Sequence, residues 1–248
     1  MGEQFAYALA QQKYALVLVA RRRDRLEQVA ARARECGSPS VDLIAVDLAQ
    51  REASAEVCRQ LESAGTSIDY LVNNAGFGTT GRFARLPLER EFEEIDLNVT
   101  ALVALTRRLL PAMVERHSGT IINVASTASF QPVPFMTTYG ATKAFVLSFT
   151  EGLASELNGT GVRVMALCPG PVKTEFQAVA RNERAHMPEF VYVPAEKVVA
   201  DGIAAAASGR VIYIAGVFNW IGAIMTRLTP RVIVRAVARR IYQPPPGE

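Results

Sequence analysis

Short apolar runs rich in β-branched residues alternate along the chain with longer stretches of helical periodicity. The runs at 15–20, 41–46, 68–72, 120–124, 162–167 and 211–214 are dominated by apolar residues, as expected of strands covered on both faces. Between them, 24–35, 88–115 and 139–157 carry apolar residues at helical spacing. This alternation predicts βαβ units and a Rossmann-type, doubly wound parallel sheet in a single α/β domain. Glycine- and proline-containing stretches at 76–81, 131–134 and 169–172 follow strand ends, the edge at which an open α/β sheet binds ligands.

The length, 248 residues with half of them hydrophobic, supplies the core of one large domain. Residues 1–215 are read as that domain and 216–248 as a basic, apolar, helical extension of it. Cys36, Cys58 and Cys168 lie far apart with no paired or metal-ligand spacing, which predicts free thiols in a reducing compartment. His117 and His186 stand alone, so no metal site is expected. The N-terminus lacks a basic segment followed by an apolar run and a cleavage site, which predicts a cytoplasmic protein. The net charge of +3 is unevenly spread, because six arginines from Arg210 onward face only Glu248. The apolar stretch 211–225 is shorter than the ~20 residues of a spanning helix. With the arginine-bearing stretch 230–242 it could lie on an anionic membrane surface; the alternative is that it closes a substrate pocket or packs against a second subunit. The basic residues are not interleaved with stacking aromatics, so nucleic acid is not an expected partner.

The candidate chemistry centres on Tyr139-Gly-Ala-Thr-Lys143. Residues four apart share one helical face, and an ammonium beside a phenol that ordinarily titrates near ~10 favours its deprotonation. The spacing alone fits a half-buried aromatic and a solvated lysine equally well. Its company is more specific: Asn73-Asn74-Ala75-Gly76, then Asn98, then Ser126 thirteen residues before the tyrosine, then Pro169-Gly170. In that order and spacing the set resembles the short-chain dehydrogenase/reductase family, over about residues 2–214. The resemblance implies an NAD(P)-dependent oxidoreductase acting on CH-OH or C=O groups, in the form of a homodimer or homotetramer. It implies that Tyr139 donates the proton, Lys143 lowers the phenol's pKa and binds the nicotinamide ribose, Ser126 holds the substrate oxygen, and Asn98 supports a water relay. It further implies Asp47 and Leu48 at the adenine, Asn74, Ala75 and Gly76 along the cofactor wall, and Pro169, Gly170, Val172 and Thr174 beside the nicotinamide. Asp47 could instead cap the helix that follows it.

At the end of the first apolar run stand Arg21 and Arg22, where this fold contacts the adenosine ribose. An acid there would accept from a free 2′-hydroxyl, whereas arginines pair with a 2′-phosphate, so NADP is expected over NAD. The chain's start departs from the family's pattern. Met1-Gly2-Glu3 resembles the last glycine of the family's glycine-rich pyrophosphate turn, leaving the first strand and most of that turn without counterpart. A sheet without a central strand exposes two unpaired edges. The sequence therefore predicts a start placed downstream of the natural one; the alternative is a real truncation, which would make the chain a non-catalytic scaffold with impaired cofactor binding. Phe130, Val133, Phe135, Met136, Phe176, Met187, Phe190 and Tyr192 predict an apolar pocket for a hydrophobic ketone, aldehyde or alcohol, although core or subunit contacts would use the same residue types.

Overall fold

The computed structural model describes residues 1–172, 180 and 189–243. Its strands are β1 (Leu16–Ala20), β2 (Val41–Ala45), β3 (Tyr70–Asn73), β4 (Gly119–Val124), β5 (Val162–Cys168) and β6 (Ile212–Ile214), each within about two residues of its predicted run. All pairings are parallel. The helices are α1 (Gly2–Gln11), α2 (Arg23–Glu35), α3 (Ala53–Ser63), α4 (Leu88–Ile95), α5 (Ala101–Glu115), α6 (Thr137–Glu156), α7 (Ala195–Ala207), α8 (Val217–Leu228) and α9 (Arg231–Tyr242). Successive strand residues point to opposite faces. Ile122 and Met165 accordingly pack with Phe5, Val29 and Val198 of α1, α2 and α7, while Ile121 and Val164 pack with Met113 and Leu157 on the opposite side. Helices thus cover both faces, as the predominantly apolar runs require.

The predicted single sheet is split. β1 pairs only with β2, and β3–β4–β5–β6 form a second sheet, so among the described residues β1 and β3 share no ladder. The halves are joined by side chains instead. Leu16 and Tyr70 pack with Phe5 and Leu9 of α1, and Val17 and Val19 pack with Leu105 and Ile68 on the opposite face. Tyr14 meets Tyr70 edge-on at 6.0 Å between ring centroids. Tyr70 Oη is buried without a hydrogen-bond partner, a polar atom left over at this seam.

The predicted helix at 88–115 is continuous but changes its winding at Asp96–Thr100, a π-helical turn between α4 and α5. Such turns insert one residue per turn and are frequent at functional sites. Asn98 lies at its centre.

Candidate active site

β4 runs out at Val124 and delivers Ser126, which caps a single helical turn; its Oγ accepts from the Ala128 N–H at 3.1 Å. α6 then presents Tyr139 and Lys143 one turn apart, and Ser126 and Tyr139 are joined by a side-chain hydrogen bond. The Lys143 ammonium donates to the Val124 carbonyl at 2.8 Å and lies 5.9 Å from the Tyr139 ring centroid. The loop after β3 closes over this pair. A Cβ on Gly76 would stand 3.4 Å from Lys143 Nζ and 2.8 Å from Asn98 Oδ1, and one on Gly78 would stand 2.9 Å from the Tyr139 ring. Only glycine permits this approach.

Burial shapes the proton affinities. It pushes the Tyr139 phenol up to about 12, with the Ser126 hydrogen bond opposing, and pushes Lys143 down to about 8. The expected depression of the phenol by Lys143 is therefore not what this structure shows: desolvation dominates, and the ammonium is directed at a backbone carbonyl. Burial likewise raises the Cys168 thiol to about 12, so it carries no thiolate chemistry.

Asn98 is buried and its carboxamide is committed to protein groups. Oδ1 accepts from Phe77 N–H at 3.1 Å, and Nδ2 donates to Phe77 O at 2.8 Å and to Thr142 Oγ1 at 3.0 Å. It thereby ties the glycine loop to α6, below Tyr139 and Lys143. A second amide ladder, not anticipated from the sequence, braces the strands. Asn73 Nδ2 donates to Asn123 Oδ1 at 2.8 Å and to Thr106 Oγ1 at 3.1 Å, and Asn123 Nδ2 donates to Thr150 Oγ1 at 3.0 Å. The signal for it was an asparagine inside the apolar run 121–124.

A continuous cleft of about 1440 Å³ extends from the seam between β1 and β3 to Tyr139. Of the predicted site residues, Gly2, Arg21, Arg22, Asp47, Leu48, Asn74, Ala75, Gly76, Ser126, Tyr139, Lys143, Pro169, Gly170 and Val172 line it; Asn98 lies behind the wall, and Thr174 falls outside the described residues. Arg21 and Asp47, assigned to different parts of a nucleotide, form an ion pair at 3.6 Å. Asp47 also accepts from the Ala49 N–H at 3.1 Å, so it closes a turn rather than capping α3, which starts at Ala53. The donor set fits a nicotinamide dinucleotide at both ends: arginines at the end of β1, and glycine-lined backbone beside a buried lysine at the end of β3. Between them α1 begins at Gly2, whose Cβ would stand 2.9 Å from Asn74 Nδ2, so the helix N-terminus faces the cleft.

On the substrate side, Val133, Met136 and Tyr192 line the cleft as expected. Phe130 does not; it lies beneath the Arg227 guanidinium at 5.8 Å. Phe135 faces a separate shallow hollow, and Phe190 packs on Phe218 at 4.9 Å between centroids with 61% of its surface exposed. Phe176 and Met187 lie outside the described residues. The last helix, one of whose sequence readings was closure of a substrate pocket, supplies a wall residue that the sequence had not singled out: Tyr242 reaches the cleft and packs with Tyr139, Val133 and Met136. Asn219, which interrupts the apolar run of α8, is buried; it donates to Val191 O and Ala215 O at 3.0 and 2.8 Å and packs tightly over Gly170.

Residues 1–185 match the short chain dehydrogenase family. The chain is 34% identical over 204 residues to a serine 3-dehydrogenase of Rhizobium radiobacter, covering 82% of this chain and 80% of that protein. Across the first curated relatives, the chain spans between 58% and 80% of their length. Among solved structures it resembles a short-chain dehydrogenase from Sphingobium yanoikuyae in complex with NADPH, with a TM-score of 0.80, 29% identity, and 99% of this chain and 92% of that one covered. The bulky-bulky ketone specific alcohol dehydrogenase from Comamonas testosteroni gives a TM-score of 0.75 at 28% identity, over 99% and 92% of the two chains.

Proposed function

The chain belongs to the short-chain dehydrogenase family, a family of NAD(P)-dependent oxidoreductases, and we propose that it is an NADPH-dependent reductase of hydrophobic ketones or aldehydes, able to run the alcohol oxidation in reverse. One observation carries this reading: Ser126, Tyr139 and Lys143 converge on a cleft whose other end bears Arg21 and Arg22. The NADPH bound to the Sphingobium relative and the ketone preference in the name of the Comamonas relative support it.

Bound NADPH supplies the hydride. Ser126 holds the substrate oxygen through its hydroxyl, fixing the carbonyl's orientation. Tyr139 gives its proton to that oxygen as negative charge develops there; with a phenol held at about 12 it is fully protonated at neutral pH, the form an acid needs. Lys143 holds the nicotinamide ribose, and Asn98 keeps the glycine loop and α6 in register, supporting proton return. Arg21 and Arg22 pair with the 2′-phosphate, Asp47 and Leu48 hold the adenine, Gly2 contributes its helix N-terminus to the pyrophosphate, and Asn74, Ala75 and Gly76 form the wall. Pro169, Gly170, Val172 and Thr174 border the nicotinamide. NADPH consumption with a panel of aryl and aliphatic ketones tests the reading; no turnover with any of them, despite measurable NADPH binding, would remove it.

The open seam between β1 and β3 favours a second reading, a scaffold with weakened cofactor binding. Calorimetry with NADPH, together with turnover, separates the two, because a scaffold binds NADPH weakly at best and reduces no carbonyl.

The assignment of residues 1–215 to the catalytic unit and 216–248 to an extension is part of this proposal, as are a cytoplasmic location and self-association to a dimer or tetramer, which light scattering would measure. We also propose that the extension rests on an anionic membrane surface. The outward face of α8 exposes Val217, Trp220, Ile221, Met225 and Leu228, and the adjoining α9 exposes Arg231, Arg235, Arg239 and Arg240 with no acid in either helix. An anionic lipid surface complements both features, whereas a second copy would set arginines against arginines. Co-sedimentation with phosphatidylserine vesicles but not phosphatidylcholine vesicles is expected; concentration-dependent dimerisation that buries Trp220 instead would assign this face to a second copy.

A further inference from the structure

Beneath the Tyr139–Lys143 pair lies a pair of acids that none of the assigned steps uses. Glu91 and Glu94, one helical turn apart on α4, are both buried, and the buried Thr79 sits between them. Thr79 Oγ1 is 2.5 Å from Glu91 Oε1 and 2.7 Å from Glu94 Oε2. A hydroxyl has one proton to donate. Two carboxylates cannot both accept it, so the second short contact requires a proton on a carboxyl group. The partners decide which. Glu91 receives a further hydrogen bond from the Thr138 hydroxyl, next to Tyr139; Glu94 receives one from the Thr79 backbone, but its Oε1 is buried without any partner. Glu94, with its unpartnered carboxyl oxygen, is therefore the group that carries the proton.

The surroundings agree. Burial pushes Glu94 up to about 7, with the neighbouring Glu91 adding to the rise and Thr79 and Arg90 opposing it. The Arg90 guanidinium is stacked on the Phe77 ring at 3.8 Å and paired with Glu93 at 2.9 Å. The charged and titratable groups facing Glu94 are thus Arg90 and Glu91 on its own helix and Tyr139 and Lys143 on α6; the loop carrying Thr79 contributes the Thr79 hydroxyl and backbone, neither of them charged. A negative Glu94 raises the proton affinity of both Tyr139 and Lys143.

We propose that Glu94 is a positioning residue that stores one proton under the catalytic pair and, through its charge, sets the pH range over which Tyr139 keeps its own proton. In the neutral form it shares its proton with Thr79. As pH rises the proton leaves, and the resulting carboxylate holds the protons of Tyr139 and Lys143 more firmly, extending carbonyl reduction to more alkaline solution. This inference rests on the reductase reading for its kinetic consequence but not for its titration.

The test pairs E94Q, which keeps the shape and removes the charge, with T79V, which removes the bridging hydroxyl. Carbon-13 NMR of labelled glutamate carboxyls should show one group titrating near neutrality that is missing in E94Q and moves to higher pH in T79V. Tyr139 and Lys143 should both titrate at lower pH in E94Q. Where turnover is measurable, the alkaline limb of reduction in E94Q should move to lower pH while alcohol oxidation begins at lower pH, opposite effects that a loss of packing would not produce. Absence of any carboxyl titrating near neutrality, or Tyr139 and Lys143 titrations that superimpose in wild type and E94Q, would overturn the proposal. Failure of the reductase reading would appear separately, as wild-type enzyme that turns over no carbonyl while the Glu94 titration is present.

Discussion

Arg21 and Asp47 face each other at 3.6 Å across the ends of β1 and β2. The pair is largely solvent-exposed, so its net worth is small, and a 2′-phosphate can recruit Arg21 at little cost. Replacing Arg21 and Arg22 with serine is expected to weaken NADPH by ~1.5–3 kcal/mol, the contribution of a charged hydrogen bond, and to leave NADH unaffected. Calorimetric titration with both nucleotides measures this; an unchanged ratio of affinities would contradict the assignment.

Lys143 should be costly to the fold. Its folded value of about 8 lies below the ordinary 10.5. The unfolded chain therefore binds more protons between those pH values, and stability rises with pH across that window. The full cost is present below about 8. Lys143→Met is expected to stabilise the protein at neutral pH, on the order of 1–2 kcal/mol after the lost bond to the Val124 carbonyl is subtracted. The gain should shrink as pH rises towards 10.5. Urea unfolding across this range decides it; a destabilisation independent of pH would be the contrary result.

Asn123→Ala removes the centre of the amide ladder and leaves Asn73 Nδ2 and Thr150 Oγ1 short of partners in the core. A loss of roughly 1–3 kcal/mol is expected, read as a lower urea midpoint with NADPH affinity changed little in the folded protein. A midpoint equal to wild type would show the ladder to be energetically silent.

The strands and the helix bearing Tyr139 were legible because their signals are local: short, predominantly apolar runs, helical spacing, a serine at a strand end. What escaped depends on residues distant in sequence. Tyr242 meets Tyr139 only because α9 folds back over the cleft, and Asn219 looked like a break in an apolar helix until Gly170 and Val191 came against it. Glu91 and Glu94 looked like the solvated face of an acidic helix; it is the loop bearing Thr79 that buries them. Two open edges were expected from the missing first strand, but the division into two sheets and the packing of Tyr14 on Tyr70 across the seam were not.

That seam gives a further expectation. A form of the chain carrying an apolar strand and a glycine-rich turn ahead of Gly2 should bind NADPH more tightly, because a central strand satisfies both open edges and the turn cradles phosphate at the start of α1. Calorimetry on both forms compares them. Equal affinity and equal thermal stability would mean that the side-chain packing across the seam already suffices.

The most direct test of the account is Tyr139→Phe, which removes a hydroxyl and leaves the ring packed against Gly78 and Val133. With a ketone that the wild type reduces, the variant is expected to lose at least ~10²-fold in kcat, the scale of general acid catalysis, while NADPH binds with near wild-type affinity. Near-normal turnover by Tyr139→Phe would contradict the assignment of Tyr139 as the proton donor.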